Sequence, residues 1–188
     1  MSLMVMGLAV FLGVHLLPAV PASRAALITR MGEQRYKSVF SLAAATGLLL
    51  IVVGFARWHP DQRLFAPWPG ARTIAPAVMT LSFILLAAAN MRGHLRHWVA
   101  HPMLLGVLLW AGVHLLANGD LKGTILFGAF LAYALVDLAS AIRRRAIKSF
   151  VPEFRFDVMA VVGGIVFASL VMTFHRLLFG APVVPFGV

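Results

Sequence analysis

The chain has 188 residues, 61% of them hydrophobic and 12% charged, whereas soluble domains are about half apolar and about a quarter charged. A soluble fold of this length could not bury so much apolar surface, so water is excluded as the main solvent. The net charge of +10 would suggest nucleic acid in a soluble protein. No basic stripe is interleaved with aromatics, however, and no nucleic-acid partner is expected. Cysteine is absent, which excludes disulfides, iron–sulfur clusters and thiolate ligands.

Apolar runs at 3–17, 38–56, 74–91, 102–116, 123–142 and 158–179 are read as transmembrane helices. Several fall short of the ~20 residues that cross a ~30 Å hydrocarbon core, so flanking residues must complete them. Lipid offers the backbone no partners, which requires helices, and the alternation of a membrane β-barrel is missing. The predicted fold is an all-α integral membrane protein, a single domain built as a bundle of six transmembrane helices. No Lys or Arg precedes the first run, unlike a secretory signal, so it is kept as the first helix. Between runs 2 and 3, Ala66-Pro67-Trp68-Pro69-Gly70 reads as a rigid loop with Trp68 at the membrane interface. Asn118-Gly119-Asp120 reads as a hairpin in which Gly119 turns left-handed and Asp120 caps the next helix.

The basic residues set the expected orientation. Arg24, Arg30, Arg35, Lys37, Arg92, Arg96, Arg143, Arg144, Arg145, Lys148 and Arg155 fall on one face. Arg57, Arg63, Arg72, Lys122 and Arg176 fall on the other. The positive-inside rule makes the first face cytoplasmic and predicts both termini outside, periplasmic in a bacterial inner membrane.

Polar side chains within apolar runs are costly unless they face the bundle interior, which makes them informative. His15, His114 and His175 qualify. Trp110 and Gly106 share a face with His114 by helical spacing, and His175 continues a stripe of small residues, Gly164 and Ala168. One reading makes these imidazoles packing glue. The other makes two of them axial ligands of a haem iron, with Gly106, Ala111 and Gly112 leaving a flat apolar slot. On an unbroken helix His94, His97 and His101 would share a face that could suit a non-haem metal, but Pro102 favours a break, so they read as headgroup-level residues. His59 is an outer-loop residue. Asp137, the one acid inside an apolar run, is expected to pair with one of the arginines that follow, with a proton-relay role as the alternative.

Particular residues carry a family resemblance. Gly13-Val14-His15 closing the first run, and Arg30-Met31-Gly32-Glu33-Gln34-Arg35-Tyr36-Lys37 before the second, resemble the opening of the NnrU family. So do His101-Pro102-Met103-Leu104-Leu105-Gly106, Trp110, and His114-Leu115-Leu116-Ala117-Asn118-Gly119-Asp120. The resemblance implies a bacterial inner-membrane protein associated with denitrification and nitric-oxide metabolism. The family is similar to the plant cis-zeta-carotene isomerase, which uses haem b. The resemblance implies haem b here, with axial histidines falling on His15 and His114. The isomerase's cysteine falls on Ala111, which weakens an isomerase activity.

Straight antiparallel helices with these limits would separate His15 and His114 by about 10 Å or more in depth. Either run 1 continues through Pro18 to about Ala22, or His175 replaces His15 as the partner of His114. Arg24, Arg35, Arg92 and Arg96 are the expected partners of haem propionates, by side and charge. A haem would carry isomerase or redox chemistry on a small apolar or gaseous substrate, or simply electron transfer. The alternative is a non-enzymatic membrane accessory factor for nitric-oxide or nitrite reductases. A homo-oligomer is compatible with the sequence.

Overall fold

The computed structural model describes residues 1–60, 62–147, 149–180 and 183; Lys148, counted above among the basic residues, lies outside them. Four helices are long and apolar enough to cross a membrane: α3 (Glu33–Arg57), α4 (Ala71–Ala88), α7 (Leu121–Arg143) and α8 (Phe154–Thr173). Two shorter apolar helices, α1 (Ser2–His15) and α6 (Pro102–Ala117), accompany them. Short helices α2 (Pro21–Met31), α5 (His94–Val99) and α9 (His175–Phe179) lie beside these. The architecture is that of a multi-pass membrane protein.

Packing orders the apolar helices in a row, α3, α1, α7, α6, α4, α8. The two short helices therefore stand inside the row. At 1.5 Å per residue α1 and α6 reach about 21 and 24 Å, less than a ~30 Å core. An interior helix is walled by its neighbours and does not need to match the bilayer by itself. Of the four long helices α3 is the least covered. Only 17% of the apolar window of α3 is buried within the fold, and Leu42, Leu49 and Val52 are 70%, 63% and 57% exposed. Side chains this apolar and this uncovered suit lipid rather than water.

Helix contacts are made by small residues, as expected where lipid leaves no hydrophobic force between helices. Ala71, Ala111, Ala134 and Ala168 are fully buried. On α1 and α3 the backbones nearly touch. A Cβ on Gly7 would sit 2.6 Å from the Ile51 nitrogen, one on Gly47 2.7 Å from the Phe11 nitrogen, and one on Gly54 would overlap the Met4 backbone. On α8, a Cβ on Gly164 would sit 2.6 Å from Ile84 Cα of α4. Buried Ser82 of α4 donates to the Gly106 carbonyl of α6 at 2.8 Å.

Several boundaries differ from expectation. Run 1 does not continue through Pro18: α1 stops at His15, Leu17–Ala19 forms a single 3-10 turn, and α2 starts with Pro21 in its first turn. Proline lacks the N–H that a continuing helix needs but suits a first turn. The connection between runs 1 and 2 is thus itself largely helical. α2 joins α3 at Gly32, whose φ of 81° lies where side-chain-bearing residues are strained. Run 6 is two pieces, α8 ending at Thr173 and α9 beginning at His175; nothing in the local sequence explains the break.

The α6–α7 hairpin forms as expected, with one change of reason. Asp120 caps α7 by accepting from the Gly123 N–H at 2.7 Å. Gly119 is not left-handed. It is needed because a Cβ there would overlap the Phe65 carbonyl. The 62–68 segment lies across the hairpin, with Leu64 N–H donating to Gly119 O at 2.7 Å, Leu121 N–H to Gln62 O at 3.0 Å, and Trp68 N–H to Leu116 O at 2.9 Å.

Gly54→Ala is expected to destabilise by about 1–3 kcal/mol through overpacking, seen as a lower Tm of the helical signal in detergent. Gly13→Ala is the control, since nothing lies within 4 Å of a Cβ there, and it should leave Tm unchanged or raise it. Asp120→Ala should cost about 1 kcal/mol by loss of the cap, measured in the same way.

Candidate functional site

His114 sits in the last turn of α6, and its environment follows from helix geometry. Its Nδ1 lies 2.8 Å from the Trp110 carbonyl one turn back. A carbonyl can only accept, so Nδ1 carries the hydrogen and the lone pair resides on Nε2. The imidazole is walled by Phe127 of α7 at 4.7 Å and Trp110 at 5.5 Å between ring centroids. The carbonyl of His114 accepts from the Asn118 side-chain amide at 2.7 Å, which fixes the end of α6.

His175, the first residue of α9, faces His114 with ring centroids 6.4 Å apart and planes inclined by 29°. Phe179 lies beside it at 4.8 Å, its ring tilted by 51°. The break after α8 therefore brings a second imidazole to the end of α6. It also means that His175 does not simply extend the stripe of Gly164 and Ala168.

His15 shows the same local device in a different place. Its Nδ1 lies 2.7 Å from the Phe11 carbonyl, so its lone pair is also on Nε2. Its ring contacts are Phe11, Phe40 and Tyr133, at 4.2, 5.2 and 6.3 Å. His15 is thus level with Tyr133 on α7, and His114 with Phe127. Six residues on one helix span about 9 Å. Aromatic contacts bridge that depth, from His15 through Phe11 and Phe130 to Trp110 and His114. The structure brings His114 to His175 and keeps His15 about two turns deeper along α7.

The remaining site residues fall as follows. Trp110 packs edge-on against Phe127 and Phe130 at 5.3 and 5.1 Å and forms the wall beside His114. Gly106 faces α4, where a Cβ would sit 2.9 Å from Leu86 and 3.0 Å from the Ser82 carbonyl, so it serves helix packing. Ala111 is fully buried, and space is open around Gly112. Arg24 lies over the Tyr36 ring at 5.7 Å, Arg96 over Phe150 at 5.2 Å, and Arg35 and Arg92 are exposed. Arg92 and Arg96 precede α6, and Pro102 lies twelve residues, about 18 Å, from His114. Toward the His114 end of α6 the chain carries Arg176, adjacent to His175, Arg63, bridged by its backbone to Asp120, and Lys122, which donates to Phe55 O at 3.3 Å.

At the other end of α6, Ala100 has a φ of 60° and ends α5. His94 and His97 share that helix, and His101 does not. His94 has a partner that sequence spacing missed. Asp157, in the first turn of α8, accepts from His94 Nδ1 at 2.7 Å, His94 N–H at 2.9 Å and Leu95 N–H at 2.8 Å. An acid just ahead of an apolar run was the available signal, but nothing local points to a partner 63 residues away. Asp137 meets Arg144 at 3.8 Å, the arginine pairing expected of it. Among the described residues no group of three or more His, Asp or Glu side chains is arranged to hold a metal ion.

No curated protein and no solved structure matches the chain. The NnrU protein family matches over residues 3–183, which takes in α1, the hairpin, the facing histidines and the α5–α8 contact alike. With nearly its whole length matched, this chain belongs to the NnrU family.

Proposed function

We propose that this NnrU-family membrane protein binds haem b near the His114 end of α6. The observation that carries the reading is the facing of His114 and His175 at 6.4 Å between centroids. A metal takes the in-plane lone pair of an imidazole nitrogen, so these two rings, stacked at 6.4 Å, are close enough to share one iron once one of them turns. The Trp110 carbonyl holds His114 in the tautomer that a ligand needs, an arrangement usual for metal-bound histidine. Trp110 and Phe127 supply apolar walls, and Arg176 is the cation placed for a propionate.

When bound, haem supplies redox chemistry or polarises a ligand on its iron. The chain's own part is to orient the imidazoles, exclude water with the aromatic walls and the 62–68 segment, and admit a small apolar or gaseous molecule from lipid. The NnrU resemblance attaches this to denitrification and nitric-oxide metabolism. An isomerase activity draws less support, because Ala111 offers no ligand beside His114. The proposal includes six membrane crossings with both termini periplasmic, supported by the excess of basic residues on the opposite face.

His15, the partner that the resemblance implies, keeps one specific observation in its favour: its own Nδ1 bond to Phe11 O leaves Nε2 available. The accessory-factor reading rests on the same bonds, taken as packing.

Purified from haem-supplemented cells in mild detergent, the protein is expected to show a Soret band that shifts on dithionite reduction. His114→Ala and His175→Ala should each abolish or shift it with the helical signal intact, and His15→Ala should leave it in place. Loss in His15→Ala with retention in His175→Ala would assign the His15–His114 pair instead. Absence of any band in the wild type would leave the accessory reading.

A further inference from the structure

The α5–α8 contact encloses a second feature, at the end of α6 away from His114 and independent of any haem. A groove of about 240 Å³ is lined by His94, Leu95, Trp98, Phe154, Asp157 and Val161. Its polar members form one unit. Asp157 is used as an acceptor three times, by two backbone N–H groups and by His94 Nδ1. The fit is close enough that a Cβ on Gly93 would overlap the carboxylate. With Nδ1 donating to Asp157, Nε2 of His94 is the acceptor left to the groove. His94 is 37% exposed and Asp157 11% by side chain, so the carboxylate is the inner member and the imidazole the outer one.

The rest of the lining selects the occupant. Leu95 and Val161 are aliphatic, and Trp98 and Phe154, each 73% exposed, form an open aromatic edge. Flat rings stack favourably on such an edge. The volume falls below the roughly 300–1,000 Å³ of sites that enclose a whole drug-sized ligand, so it suits one ring with a chain that leaves along the lipid-facing side. Charge narrows the choice further. A cation would meet Arg92 and Arg96 close by in the chain, and an anionic headgroup brings no proton for His94 Nε2 to accept. A neutral hydroxyl donor meets neither obstacle.

We infer that this groove binds the ring of a lipid-soluble phenol or hydroquinone, whose hydroxyl donates to His94 Nε2 while Trp98 and Phe154 stack on the ring. His94 and Asp157 form the recognition unit, and no electron transfer is part of it.

The test is equilibrium binding of decylhydroquinone, kept reduced, to the full-length protein in phosphatidylcholine nanodiscs, corrected for protein-free discs. Saturable binding is expected. The dimethyl ether of the same compound should bind the wild type at least about tenfold more weakly, about 1.4 kcal/mol. His94→Asn keeps an amide able to donate to Asp157 but removes Nε2. It should weaken the hydroquinone about tenfold and leave the ether unchanged, with the helical signal preserved. Absence of saturable binding, an ether as tight as the hydroquinone, an unaltered affinity in His94→Asn, or equal competition by decanoate would each overturn the assignment.

Discussion

The close approach of α1 to α3 governs the geometry of everything else. Gly7, Gly47 and Gly54 let the two backbones touch along most of α1, which fixes the depth of α1 against the longer helix. Met4 and Leu8 of α1 then meet Leu126 and Phe127 of α7 in one cluster with Ile51 of α3. With that register set, His15 can only reach the level of Tyr133. A side chain larger than glycine at these positions would push the helices apart and release α1 to slide. The depth of His15 is thus a consequence of glycines on two different helices.

A second constraint acts on each imidazole separately. In a bundle interior an imidazole must satisfy its N–H without water. Both His15 and His114 do so through the carbonyl of the residue four positions earlier, a partner that every helix supplies. His94 instead uses a carboxylate from another helix. The difference matters chemically. A carbonyl orients a ring without adding charge, whereas Asp157 places a carboxylate behind it. A carbonyl-oriented ring such as His114 suits the proposed iron, and a carboxylate-backed ring suits a hydroxyl proton.

Much of this was legible in the sequence, because lipid makes composition speak plainly. The apolar runs matched helices, Asp120 capped α7, and Trp110 and His114 fell on one side of α6. What escaped reading depended on contacts between distant segments. Gly119 was marked correctly, but as a left-handed turn, when its reason is the Phe65 carbonyl lying against it. Gly106 was placed beside a cofactor slot, yet its face is decided by Ser82 on α4. Asp157 stands one residue before the 158–179 run, where nothing local marks a partner on α5. The break before His175 has no local signal, and it decides which histidine faces His114.

The position of each helix in the row explains where the polar side chains are tolerated. α3, at one end, exposes apolar residues over most of its surface and carries no histidine within its length. α1 and α6, short and walled on two sides, carry His15 and His114. Such helices have interior faces to spare, and an imidazole there avoids hydrocarbon. Packing alone therefore accounts for why histidines occur on these two helices, and for the use of Nδ1. It does not call for a second imidazole opposite the first. A glue residue needs one bond, which Trp110 already supplies to His114, so the second imidazole at 6.4 Å is what the proposed cofactor would use.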